Sequence, residues 1–252
     1  MQEYKCFMDM ADVPVGIAYT IRKSGGEVSV AAKSVHYVGG VDGISRRLIA
    51  IWLAMPEHYR TVGLHWYDDA NEYAQSLATV YNLTLWQTSQ IIAVLSPQNP
   101  WDGAYTKEGV QFKDGNRLCA LNTIKAWFEG GESAVMALRG WGYAPDFLAK
   151  AVKVLQGQEL DWSTAPKTHR FALLIADPKR TDIAVMDTHA SRIATGNLGN
   201  RYHVVASSAY LLLESAYMLA AFVLGLPAYV IQSGLWQAAV DGLFYVTKGE
   251  LK

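Results

Sequence analysis

Cysteine is scarce in this chain: Cys6 and Cys119 are the two in 252 residues. So far apart, they form neither a close metal-ligand pair nor a disulfide framework, a usage that fits a reducing, intracellular compartment. Charge is thin as well. Charged residues make up 18% and the formal net charge is −1, which argues against a strongly basic, non-specific nucleic-acid binder. No Lys or Arg occurs between Arg60 and Lys107. Long apolar runs are lacking: Leu211 to Leu226 is interrupted by Glu214 and is too short to span a bilayer. The opening residues, MQEYKCFMDMADVP, lack the apolar core of a signal peptide, so a soluble protein is expected. There is no internal repeat and no low-complexity linker. His36, His58, His65 and His203 show no metal-ligand spacing, and no phosphate-loop glycines occur. No metal and no organic cofactor is therefore expected.

Apolar residues, by contrast, are plentiful. At 51% they supply a core for one large domain. Residues 1 to about 45 are rich in Gly, Ser and Val with weak periodicity. Residues 1–60 read as an irregular N-terminal extension packed on the body, with a short strand possible in VSVAAKSVHYVGG. Residues 61–252 read as the main domain. Trp66, Ala70, Tyr73, Leu77 and Val80 fall on one helical face, with acids in the early turns. Asn82 ends that helix. Thr84 and Gln87 then make a capping box before LWQTSQIIAVL, which Pro97 and Pro100 close. NRLCALNTIKAWF and ESAVMALRG follow. After the turn GWGYAP, Pro145 suits a helix first turn, and DFLAKAVKVLQG carries the stripe Leu148, Ala151, Val152 and Leu155. Ser163 or Thr164 is a candidate cap for PKTHRFALLIA. DIAVMD reads as extended or irregular and THASRIAT as a short helix. Two more helices are expected near 207–223 and 228–244, with Trp236 in the core. Helix after helix with little period-two alternation gives an all-α fold.

Three segments carry chemistry in a fixed order. They are IIAVLSPQNPWDGAY (91–105), LRGWGYAPDFLAKAVKVL (138–155) and the stretch from Thr164 to Gly196, which holds Val185, Met186, Asp187, Thr188, His189 and Arg192. Together they resemble the helix-hairpin-helix DNA glycosylases of the endonuclease-III-like superfamily, and phage-encoded members in particular. In that superfamily a helix ends in a leucine-serine-x-glutamine motif. A glycine-containing turn then leads into a helix, and a lysine-bearing hairpin and helix precede a VDTH-type motif. Only Met186 is inserted in the last. The resemblance covers roughly residues 65–196 and implies a two-lobed helical domain. It also implies a monomer acting on double-stranded DNA, without membrane or protein partner, in the cytoplasm of a bacterial or phage-infected cell.

By that resemblance Asp187 is the central catalytic residue. Breaking an N-glycosidic bond builds an oxocarbenium-like sugar, which a carboxylate stabilises, and the same carboxylate can activate a water or a lysine. An Asp just before THASRIA is equally an N-cap. Lys167, twenty residues earlier, occupies the place of the nucleophilic lysine of bifunctional members. A phosphate-contacting or plain surface lysine is the other reading. Gln98 matches the glutamine that enters the duplex beside an extruded nucleotide. Asn99, Trp101, Asp102 and Tyr105 lie next to it as candidate pocket or wedge residues. Otherwise SPQNPWDG is a loop with buried aromatic anchors. His189 is a candidate proton shuttle or a packed histidine. Trp141 and Tyr143 read as core or rim residues. Two departures matter. The hairpin place reads Ser163 to Pro166 with no glycine, and Pro166 removes an amide donor, so Thr168, His169 and Arg170 are candidate substitutes for phosphate contact. The four-cysteine cluster is missing, so no iron–sulfur centre is expected.

Three functions remain open at this level. The first is a DNA N-glycosylase, with or without lyase activity. The second is an enzyme that hypermodifies a DNA base on the same fold, and the third is a non-catalytic DNA-binding module. Gln98, Lys167 and Asp187 are expected to face one cleft under the first.

Overall fold

Helical periodicity and punctuation residues account for most of the architecture. In the computed structural model, which describes residues 21–24, 27–30, 40–97, 99–105, 111–195 and 207–241, the fold is all-α. The helices are α1 (Gly40–Ala54), α2 (Glu57–Tyr81), α3 (Leu85–Val94), α4 (Asn116–Ala137), α5 (Pro145–Leu155), α6 (Pro166–Ala176), α7 (Thr188–Thr195), α8 (Ser207–Leu224) and α9 (Ala228–Val240). Among the described residues strand is confined to two antiparallel hairpins. One pairs β1 (Ile21–Ser24) with β2 (Glu27–Val30), and the other pairs β3 (Ala104–Tyr105) with β4 (Gln111–Lys113). The N-terminal 60 residues contain α1, which weak periodicity did not predict; Ile44, Leu48, Ile49 and Trp52 form its buried side.

The chain divides into two compact units. The first comprises 1–66 and 180–252, the second 67–179. In the first, α1 packs along α8, α8 on α9, and α7 against both α1 and α9. The start of α2 meets α9 backbone to backbone. A Cβ on Gly63 would overlap the Val230 carbonyl, and one on Gly234 would lie 2.8 Å from the Trp52 ring and the Tyr59 carbonyl. Two glycines therefore set the crossing, which Ser233 Oγ ties by donating to the Gly63 carbonyl at 3.1 Å.

In the second unit α3 is central, packed on α4, α5 and α6. Thr88 to Leu95 are buried on every side, which explains an apolar run without a polar face. Its capping box is formed: the Gln87 amide donates to Thr84 Oγ1 at 3.1 Å and the Thr84 amide to Gln87 Oε1 at 3.0 Å. Asn82, at φ 51°, breaks the chain before it. On α2 the buried stripe is Tyr67, Ala70, Asn71, Ala74 and Leu77, whereas Val80 is exposed. The stripe is rotated from the sequence pattern because Asn71 turns inward. Its Nδ2 donates to the Ile175 carbonyl at 2.7 Å, near the end of α6. The two helical signals of 116–138 form one helix kinked at Gly130 and Gly131, the second at φ 65°. Leu148, Ala151, Val152 and Leu155 are buried as the α5 stripe predicts. Among the described residues no single helix is long and apolar enough to cross a bilayer. One pair, Tyr210–Leu224 with Ala228–Val240, passes by length and composition together but is bent by 106°.

Candidate active site around Asp187

Residues Ile183 to Met186 lie in neither helix nor strand and are almost fully buried. Their backbone groups need partners, because a buried unpaired amide or carbonyl is costly. One face of α8 supplies partners at i and i+4, and at i+7 reaches the helix that follows. Tyr210 Oη accepts from the Met186 amide at 3.0 Å and donates to the Ala184 carbonyl at 3.1 Å. Glu214 Oε1 accepts from the Ala184 amide at 3.1 Å. Tyr217 Oη donates to the Ala190 carbonyl, in α7, at 3.1 Å. All three side chains are buried. Burial, and after it the charge of Asp187, pushes the Tyr217 phenol well above its ordinary value.

That held segment delivers Asp187 to the N-terminus of α7. Its Oδ1 accepts from the Ala190 amide at 2.8 Å, the bond of an N-cap. Among the described residues Oδ2 accepts no hydrogen bond, and Asp187 is half-buried. At the other end of α7, Arg47 Nε donates to the Ile193 carbonyl at 3.0 Å, a cation where the helix dipole favours one. Desolvation lowers the Arg47 pKa. The eight-residue helix is thus fastened at both ends. His189 is half-buried, its ring edge-on to Trp236 with centroids 6.3 Å apart at 81°. Trp236 is half-buried rather than core and also meets Trp66 edge-on, at 6.0 Å and 68°.

The remaining candidates belong to the second unit, Lys167 among them, whereas Asp187 belongs to the first. Gln98 and the Tyr105 side chain lie outside the described residues. Around Gln98 the loop is fastened by its neighbours. Asn99 donates from Nδ2 to the Leu95 carbonyl at 3.0 Å. The Asn116 and Arg117 amides donate to the carbonyls of Pro100 and Trp101 at 2.8 and 3.2 Å. Trp101 packs edge-on to Tyr73 at 6.1 Å, and Arg117 lies over the same Tyr73 ring at 4.6 Å while pairing with Asp102 at 3.2 Å. Burial, as the first cause, pushes the Tyr73 phenol up to about 12. Trp101 and Asp102 therefore shape the loop. Gly142, at φ 98°, packs so closely on Asn99 and Cys119 that a Cβ would overlap both. The same turn leaves Trp141 60% exposed and Tyr143 buried.

On α6 the N-cap is Ala165, with no side-chain cap, so neither Ser163 nor Thr164 plays the part expected of it. Pro166 at the first helical position fixes the start one residue later, a signal that was legible in the sequence. Lys167, Thr168, His169 and Arg170 are half-buried in this first turn. Lys167 forms no ion pair among the described residues. His169 is stacked on Trp162 at 5.2 Å and 8° and edge-on to Trp86 at 6.3 Å, which makes it a packing residue whatever else it contacts.

Sequence reasoning missed Tyr210, Glu214 and Tyr217. Their signal was the Glu that interrupts an apolar run, flanked at i−4 and i+3 by tyrosines: a buried face of α8 that carries polar atoms. Among the described residues no group of three or more His, Cys, Asp or Glu is placed to hold a metal ion. Residues 36–242 match the model of a family of unknown function, DUF7178. No curated protein and no solved structure matches the chain.

Proposed function

We propose that this chain, which belongs to the DUF7178 family of unknown function, is an enzyme that acts on a base in DNA, by cleaving its N-glycosidic bond. The observation that carries the reading is the mounting of Asp187. The segment 183–186, held by the buried Tyr210 and Glu214 of α8, leads to a half-buried carboxylate with one oxygen committed to the helix and one that accepts no hydrogen bond among the described residues. The motif resemblance supplies the substrate class.

In this reading the C1′–N bond of the nucleotide breaks, its electron pair leaves with the base, and the departing base takes up a proton. Positive charge develops on the sugar ring, where the Asp187 carboxylate stabilises it. The incoming group is a water, which loses a proton to the carboxylate, or the neutral amine of Lys167. With Lys167, Nζ bonds to C1′ and gives up a proton; the C1′–O4′ bond then opens, O4′ takes up a proton, and the product is an imine between Nζ and C1′, which borohydride reduces to a stable amine. Wild-type protein is therefore incubated with duplexes carrying a panel of damaged and modified bases, and both released bases and DNA are analysed by mass spectrometry. Base release supports the reading. Borohydride trapping that Lys167→Ala abolishes assigns the lysine as nucleophile. Altered bases retained in the DNA indicate base modification instead.

One observation favours a second reading, a DNA-binding module without chemistry. The hairpin place has no glycine and α6 no side-chain cap, and Asp187 Oδ1 is already spent on α7. Binding to duplex DNA with no release and no modification across the panel would establish it.

A further inference from the structure

We propose that Trp66, His189 and Trp236, with Gln232 one turn earlier on α9, form the wall that receives the base beside Asp187; this rests on the base-acting reading. All of these residues belong to the first unit. The Gly63–Gly234 contact creates the wall. With no side chain between the backbones, α2 and α9 touch, and Trp66, three residues after Gly63, meets Trp236, two residues after Gly234. His189, two residues past Asp187, meets the same indole edge-on. Three half-buried rings, each keeping part of its surface in solvent, are thereby joined to the segment that carries the candidate catalytic carboxylate.

Gln232 is the independent observation. It lies at i−4 from Trp236, so both share one face of α9. Gln232 is 4% exposed, and its Oε1 has no hydrogen-bond partner among the described residues. A buried carboxamide with an unpaired oxygen is costly to keep in a core, where Leu or Met would fill the space. Beside aromatic rings, it has the chemistry that reads the edge of a nucleobase: an acceptor and two donors in one plane. The rings supply the face-on contact, which tolerates any base, and the amide supplies discrimination. The occupant is therefore a planar nitrogen heterocycle still attached to its sugar.

The test compares two DNA probes with the full chain. One is a duplex carrying an unpaired thymine in a single-nucleotide bulge; the other is the same duplex with a tetrahydrofuran abasic analogue in that place. Trp236→Leu is expected to weaken binding to the base-carrying duplex on the order of tenfold and to leave the abasic duplex unchanged. Trp236→Phe, which keeps a ring, is expected to retain most of the affinity and serves if the Leu variant folds poorly. Gln232→Leu is expected to flatten the ranking when the bulged base is varied. Equal loss on both duplexes, or equal binding of both by the wild type, overturns the proposal. The two readings separate cleanly. Base-dependent binding that needs Trp236, without base release, keeps the wall and removes the glycosidic chemistry. Base release that is indifferent to Trp236→Leu removes the wall and keeps the chemistry.

Discussion

Removing the Tyr210 hydroxyl is the sharpest perturbation of the mount beneath Asp187. Tyr210→Phe keeps the ring and takes away one oxygen that serves two backbone groups, the Met186 amide at 3.0 Å and the Ala184 carbonyl at 3.1 Å. Residue 210 is 2% exposed, and Ala184 and Met186 are buried as well, so water does not replace the lost partner. A buried donor or acceptor left unpaired costs about 1–3 kcal/mol, so the pair together costs about 2–6 kcal/mol. Against a domain stability of about 5–15 kcal/mol that is a large fraction. In urea, with a slope of about 2 kcal/mol per molar, the unfolding midpoint by circular dichroism falls by roughly 1–3 M at unchanged slope. Val80→Ala, at a site 72% exposed, is the control and moves stability by no more than about 0.5 kcal/mol. A Tyr210→Phe protein within about 0.5 kcal/mol of wild type would refute the reasoning: residues 183–186 would then not depend on α8 for their backbone bonds.

Other perturbations have equally definite outcomes. Gly63→Ala drives a methyl group into the Val230 carbonyl and is expected to lower stability by about 1–3 kcal/mol, read as a drop in melting temperature. Thr84→Ala removes the side-chain half of the α3 capping box and costs about 0.5–2 kcal/mol in the same assay. Alkaline pH acts through Tyr217. The unfolded phenol titrates near 10 while the folded one, raised by burial and by Asp187, keeps its proton. Its contribution is complete below pH 10 and is lost as pH rises towards the folded value, by up to about 1.4 kcal/mol per pH unit. Unfolding free energies measured from pH 9 to 11 are expected to fall less steeply for Tyr217→Phe than for wild type.

Local signals were the most legible part of the fold. A capping box, a proline at a first turn and a glycine or asparagine at a helix end act within a few residues, so Thr84, Pro145 and Asn82 could be read directly. The inward turn of Asn71 could not, because its partners, the Ile175 and Ala176 carbonyls, are about a hundred positions away in sequence. α1 escaped notice because its glycines and serine blur a stripe that only packing on α8 makes plain. At the candidate site, Asp187 and the non-helical segment before it were visible from sequence. The clamp was hidden because Tyr210, Glu214 and Tyr217 sit in an apolar run that reads as core. They are indeed core, and their polar atoms face a backbone that no strand pairs. Trp236 was taken for core for the same reason; the two glycines that bring it to Trp66 carry no sign of their partner.

The central claim is that Asp187 does chemistry as well as capping, and Asp187→Asn tests it most directly. Asn caps a helix about as well as Asp, so the bond to the Ala190 amide and the melting temperature should survive. What is lost is the negative charge. On whichever duplex of the panel the wild type releases a base, the account predicts turnover lower by about a hundredfold or more, with folding intact. An Asp187→Asn protein that releases the base at the wild-type rate would contradict the account and leave Asp187 as a helix cap alone.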